Sequence, residues 1–288
     1  MSDLYEIVDW PHLEEPVLLL GLEGWIDAGL AVATTVAHID SVIDPKVVAS
    51  FDTEILLDHR ARRPIVHLED GVNKGITWPK LELRAGHDMA GRDVLLLSGP
   101  EPDIRWKGFA EDVMRLAQRV GTTMMIGLGA YPSGLPHTRP VRLSSSASSR
   151  ELAEQIADTR TSIDAPAGAQ AIVEHRFTEA GIPNLTVWAQ VPNYVSGMAF
   201  PAASVALLDA VERLSGLRFE RDALDEAATA LTARVDELVR ANPEHTAMLR
   251  EMERAYDEAQ AAAPIPSGDE LVAEVEQFLR DIEGGTSL

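Results

Sequence analysis

The first 216 residues alternate between short apolar runs of strand type and longer stretches with helical spacing. Strands are expected at 17–22, 47–51, 64–69, 76–84, 93–98, 123–128, 141–145 and 185–191. Runs 17–20, 94–97 and 124–128 are apolar without a break, as strands covered on both faces should be. Helices are expected at 28–43, 105–120, 148–158, 166–180 and 201–215. In the first, Ala28, Val32, Val36 and Ile39 or Ile43 recur at helical spacing. This alternation predicts an α/β fold of three layers around a mostly parallel sheet with right-handed crossovers. Between 47 and 84 several strands follow one another with no helix, so an antiparallel addition is expected there and the sheet should be mixed.

The pattern changes after Leu217. Leu224, Ala228, Leu231, Val235 and Leu238 form one helical stripe, and Met248, Met252, Ala255 and Ala259 a second, after Asn242-Pro243. Leu271, Val275, Phe278 and Ile282 form a third beyond Pro266, with Ser267 and Glu270 spaced as a capping box. Residues 1–217 are therefore read as the α/β core and 218–288 as a C-terminal α-helical extension. Its apolar stripes must cover one another, the core or a neighbouring subunit.

Charge narrows the partners. The chain carries 25 Lys+Arg against 46 Asp+Glu, a formal net charge of −21, of which −11 falls in residues 219–288. Such a field repels phosphate backbones and anionic lipid, so neither nucleic acid nor a membrane is an expected partner. A basic protein partner fits it, as does an acidic surface kept for solubility. The chain has no cysteine, which excludes disulfides, thiolate metal sites and a cysteine nucleophile. No signal peptide or membrane span is read, and a cytoplasmic location is expected.

Candidate chemistry lies in loops that follow apolar strands. In 21–29, Gly24 and Trp25 lead to Asp27, the natural N-cap of the helix behind it, with Trp25 packing. The same turn would offer backbone N–H groups to an anion, against the charge of Glu23 and Asp27. In 99–106, Glu101, Asp103 and Arg105 with Trp106 supply acid/base or polar-ligand groups. The structural reading has Asp103 capping helix 105–120 and Glu101 pairing with Arg105. In 136–140, His137 is the best general acid/base candidate and Arg139 would hold an anion. Asn193 and Tyr194 follow the strand at 185–191. If the strands are parallel, the four loops 21–29, 99–106, 131–140 and 192–201 meet at one sheet edge. Ser144–Ser149 reads as N-caps, because no nucleophile elbow accompanies it. Gly127-Leu-Gly129-Ala-Tyr-Pro132 fails the dinucleotide fingerprint, since proline stands at its third glycine. The histidines show no paired spacing, so no metal is expected, and no cofactor.

Taken together, Gly24-Trp-Ile-Asp-Ala-Gly29, Thr77-Trp-Pro79, Gly99-Pro-Glu-Pro-Asp103 with Trp106, Pro136-His-Thr-Arg-Pro140, and Val191-Pro-Asn-Tyr194 with Phe200-Pro-Ala-Ala-Ser204 resemble the proteasome assembly chaperone 2 family in its bacterial, actinobacterial-type form. The likeness spans about residues 5–217. It implies a phosphorylase/nucleosidase-like α/β core and a small homo-oligomer, for which a trimer is expected. Eukaryotic and archaeal relatives act as chaperones in proteasome assembly; the family supplies no catalytic residue set. A non-enzymatic assembly or interaction protein, with proteasome subunits or another complex as partner, is therefore expected. The alternative is a hydrolase- or phosphorylase-like enzyme acting on a polar or phosphorylated metabolite through Glu101, Asp103, His137 and Arg139.

Overall fold

The structure, a computed structural model, describes residues 4–24, 26–156 and 162–261. In chain order the elements are β1 (Tyr5–Ile7), β2 (Val17–Glu23), α1 (Ala31–Val42), β3 (Lys46–Phe51), α2 (Thr53–Leu56), β4 (Ile65–Glu69), β5 (Val72–Thr77), β6 (Glu82–His87) and β7 (Asp93–Pro100). Then follow α3 (Trp106–Arg119), β8 (Met124–Ser133), β9 (Leu143–Ala147), α4 (Arg150–Glu154), α5 (Ala169–Glu179), β10 (Asn184–Pro192), α6 (Pro201–Ser215), α7 (Asp222–Arg240) and α8 (Pro243–Ala261).

Eight strands form one sheet in the order β1-β3-β6-β7-β2-β8-β10-β9. Its centre, β7-β2-β8-β10, is parallel. The flanking pairs β1–β3, β3–β6, β6–β7 and β10–β9 are antiparallel, so the sheet is mixed as expected. Side-chain alternation sorts the central strands between two cores. Leu19, Leu96 and Ile126 pack with α1, α6 and α7, while Leu18, Leu20, Leu95, Leu97 and Met125 pack with α3 and α5. The seven leucines of β2 and β7 are all buried. At about 1.5–3 kcal/mol each, their burial is a large part of what drives this centre together.

Several local expectations need correction. The run 76–84 is not one strand: Pro79 lacks a ladder donor and separates β5 from β6. β5 instead pairs with β4 in a separate two-stranded sheet. Asp70 (φ 52°) and Gly71 (φ 79°) form its two-residue turn, both in the left-handed region that a type I′ turn requires. The helix expected from 28 starts at Ala31, because Gly29 (φ 67°) and Leu30 (φ 48°) interrupt it. Those expected over 148–158 and 166–180 shorten to α4 and α5. In α7, Leu224, Leu231, Val235 and Val239 join the core while Leu238 is exposed. In α8, Met248 is also exposed and Tyr256 is the buried residue. The third stripe, 271–282, lies outside the described residues.

Asp88 ties the β6–β7 turn to the segment after α6. Its buried carboxylate accepts N–H bonds from Ala90 (2.8 Å), Arg92 (2.8 Å) and Arg218 (2.9 Å), and pairs with the Arg92 guanidinium at 2.8 Å. Burial pushes this carboxyl up, but the bonds outweigh it and hold it below the usual range. A folded-state pKa below the unfolded one stabilises above about pH 4 and loses that contribution as pH falls through the folded value. Asp88→Asn should therefore cost about 1.5–3 kcal/mol at neutral pH. In thermal melts the gap to the parent should shrink below pH 4; a gap independent of pH would contradict this role.

Candidate functional site

The parallel centre carries the carboxyl ends of β2, β7, β8 and β10 to one edge of the sheet, and main-chain bonds knit the loops there. Asp27 bridges Ala130, Gly29 N donates to Ser196 O (2.8 Å), Phe200 N to Gly29 O (2.7 Å) and Glu101 N to Glu23 O (3.0 Å). The loops thus share one edge. Their charged side chains do not meet in one constellation; each serves a different neighbour.

Asp27 holds the start of α1. Its Oδ1 accepts from Val32 N (2.8 Å) and its Oδ2 from Ala33 N (3.0 Å), reaching past the left-handed residues Gly29 and Leu30. Two orphan donors are satisfied at the positive end of the helix dipole. Asp27 also borders a cavity of about 260 Å³ with Glu23, Asp40, Lys80 and Arg84. There Arg84 bridges Asp40 (2.6 Å) and Glu82 (2.8 Å).

Glu101 does not pair with Arg105. Its Oε1 accepts from Ala169 N at 2.5 Å and so caps α5. Gly168 and Gly24 make room for it, since a Cβ on either would lie 2.6 or 3.3 Å from its carboxylate oxygens. A second cavity, about 140 Å³, lies here, bordered by Gly24, Glu101, Gly129, Gln170, Thr186 and Trp188. Nor does Asp103 cap α3. It pairs with Arg62 and accepts from Asp58 N (2.7 Å). Burial pushes its carboxyl up, yet Arg62 and that N–H hold it below the ordinary range. Arg105 occupies the N-cap position of α3 at φ 62° without a side-chain cap bond, and Trp106 Nε1 donates to Pro102 O (2.5 Å). Trp25 lies outside the described residues.

His137 and Tyr194 form a second group, against the C-terminal helices. The His137 ring is fully buried, with Nδ1 2.7 Å from the Tyr194 hydroxyl and Nε2 3.2 Å from Asp236 Oδ1 on α7. The Tyr194 oxygen already accepts the His137 main-chain N–H (2.8 Å), so its own proton goes to Nδ1. Nε2–H then donates to Asp236. Burial raises the Tyr194 hydroxyl above its ordinary pKa and keeps it a donor. Asn193 is exposed, and its carbonyl accepts from Ser196 Oγ (2.8 Å).

Arg139 forms a bidentate pair with Asp257 (2.8 and 2.7 Å) and reaches Glu253 (3.3 Å), both on α8. Its hydrogen bonds with Asp257 raise the guanidinium pKa and lower that of the carboxylate. Thr138 donates to Glu253 (2.5 Å), Arg142 stacks 4.1 Å over the Tyr256 ring, and the Tyr256 hydroxyl reaches Pro140 O (3.2 Å). Loop 136–142 is thus a clasp on successive turns of α8. Asp236, Glu253, Tyr256 and Asp257 were missed in the sequence. The available signal was the 253/257 acid pair, spaced to face one side of a helix. In the serine run, Ser149 caps α4 as expected, and Ser146 donates to Glu174 (2.9 Å). Among the described residues no group of three His, Asp or Glu is placed to hold a metal ion, and no helix is long and apolar enough to cross a membrane.

The sequence model of the PAC2 family matches residues 21–239. No curated protein matches the chain. Among solved structures, a Mycobacterium tuberculosis protein of unknown function is 35% identical, with TM-score 0.85 over 91% of this chain and 93% of that one. A PAC2 family protein from Streptomyces avermitilis is 36% identical, with TM-score 0.73 over 81% of this chain and 99% of its own. A Mycobacterium tuberculosis proteasome-assembly chaperone homologue is 31% identical, with TM-score 0.75 over the same two shares.

Proposed function

The chain belongs to the PAC2 family, and from that premise we propose that it is a chaperone-like protein acting on a protein assembly related to the proteasome. The observation that carries this reading is the employment of the edge residues. Asp27 and Glu101 are helix caps, Asp103 is paired, and His137 and Arg139 grip α7 and α8. An enzyme would need some of them converged on one reacting atom. Cavity size points the same way: about 260 and 140 Å³ at this edge, below the roughly 300–1,000 Å³ usual for small-molecule sites. In this reading a phosphorylase/nucleosidase-like core, residues 1–217, serves as scaffold for docking. The helices of 218–288 are its acidic appendage, and the protein works as a cytoplasmic homo-oligomer, a trimer. Tagged full-length protein recovered from native lysate should enrich proteasome subunits. Recovery of the bait alone, under conditions that preserve assembly intermediates, would sink the proposal.

A further inference from the structure

β2 and β7 are parallel neighbours whose chains leave in opposite directions. β2 leads through α1 to β3, while β7 leads through α3 to β8 on the other side. Their carboxyl ends therefore flank the switch point of the sheet, where open α/β folds take ligands. The cavity of about 260 Å³ lies here, between α1 and strands β2, β6 and β7. Ser98 is part of its wall. Alternation along β7 puts Ser98 on the α1 side with Leu96. Ser98 is only 8% exposed, and its hydroxyl bonds to no described residue. Buried hydroxyls ordinarily find a partner, so a free one on a cavity wall points to a ligand.

Charge and shape say which kind. Lys80 and Arg84 are the bases that line the cavity, and both are already met. Glu82 lies 3.6 Å from Lys80 and 2.8 Å from Arg84, and Asp40 lies 2.6 Å from Arg84. Asp27 is occupied with the start of α1. Among the described residues, the Glu23 carboxylate forms no hydrogen bond or ion pair, and the second oxygen of Asp40 is also free. With Glu82 behind the wall, four acids (Glu23, Asp27, Asp40 and Glu82) face two bases, a balance of −2. An anion is repelled and a cation is drawn in. Glu23 stands at the end of β2, beside the start of α1, and Asp40 in the last turn of that helix. Val32 and Val36, two turns and one turn before Asp40 on the same stripe, line the wall between them.

A carboxylate at each end, an apolar wall between and a free hydroxyl are the complement of a short aliphatic diamine. We propose that the cavity binds such a diamine, one ammonium at Glu23 and the other at Asp40, with Ser98 Oγ accepting a further N–H. A volume too small for most metabolites suits so short a chain. The site is independent of the chaperone reading.

Full-length protein titrated calorimetrically with 1,4-diaminobutane at physiological ionic strength should give a saturable heat, one site per chain. Butylamine, with one ammonium, and 1,4-butanediol, with none, should bind at least about tenfold more weakly, and succinate not at all. Glu23→Gln and Ser98→Ala should each weaken the diamine at least about tenfold. Neither should lower the thermal midpoint of the free protein, since neither side chain holds a described partner. Should Ser98→Ala fail to fold, Glu23→Gln carries the test. Ala37→Leu, at an exposed lining position, fills the cavity and should abolish binding. Absence of a saturable heat would overturn the proposal. So would equal affinity for butanediol, or binding of succinate. A diamine held equally by the parent and all three variants would be only a counterion of a chain of net charge −21, and would overturn it too. None of these outcomes touches the recovery of proteasome subunits, which tests the chaperone reading alone.

Discussion

Gly99→Ala should be the most damaging single-methyl change in this chain, costing about 3–5 kcal/mol from strain and overpacking together. Gly99 sits near the end of β7 at φ 131°, a region that side-chain-bearing residues avoid. A Cβ there would lie 2.1 Å from Lys80 O and 2.8 Å from Leu81 Cα. Both obstacles are backbone, so rotamer changes cannot relieve the clash. The close approach lets the chain turn from Pro79 into β6 directly against β7, beside the strand-end edge. Domains are stable by only about 5–15 kcal/mol. The variant should therefore melt about 6–20 °C lower, at roughly 2–4 °C per kcal/mol, or fail to accumulate in soluble form. Gly71→Ala is the matched control, with φ 79° and nothing within 4 Å of an added Cβ. It should cost about 1 kcal/mol. Equal losses at the two positions would mean that conformation, and not contact with 80–81, is what Gly99 supplies.

The parallel centre was legible because its signal is local. Val17 to Leu20 and Val94 to Leu97 are unbroken apolar runs, and a strand buried on both faces leaves that trace. The strand-end edge followed from topology alone. What each charged residue does there was not legible, because the partners are far away in sequence. Glu101 meets Ala169, Asp103 meets Arg62, His137 meets Asp236 and Arg139 meets Asp257. Local pairing, such as Glu101 with Arg105, was the natural guess; long-range capping replaced it. The hairpin was only half read. Asp70-Gly71 between β-rich runs is a strong short-range turn signal, but the run 76–84 was taken across Pro79. On α7, a shift of one residue, about 100° around the helix axis, exchanged Leu238 for Val239 as the inward residue. Stripe arithmetic cannot fix that without knowing what the helix packs on.

Removing the His137 imidazole should loosen α7 and α8 far more than it disturbs the sheet. The ring is fully buried and stands between two elements: Tyr194 from the strand-end loop and Asp236 from the helix. His137→Ala leaves a cavity and deprives both neighbours of a bond, an expected loss of about 2–4 kcal/mol. Tyr194→Phe removes one donor and one acceptor and should cost about 1–2 kcal/mol. Arg139 and Asp257, by contrast, form their pair at the surface, where water and salt screen it. Their loss should free α8 with little change in the global midpoint. Amide exchange resolves these cases. In His137→Ala, peptides from 222–261 should exchange faster while those from β2 and β7 keep the parent's protection, because local opening need not unfold the core. A double-mutant cycle of His137→Ala with Asp236→Ala should give a coupling of about 0.5–3 kcal/mol. Zero coupling, or acceleration spread evenly over the chain, would mean that the imidazole merely fills space. The clasp would then have to rest on α8 alone.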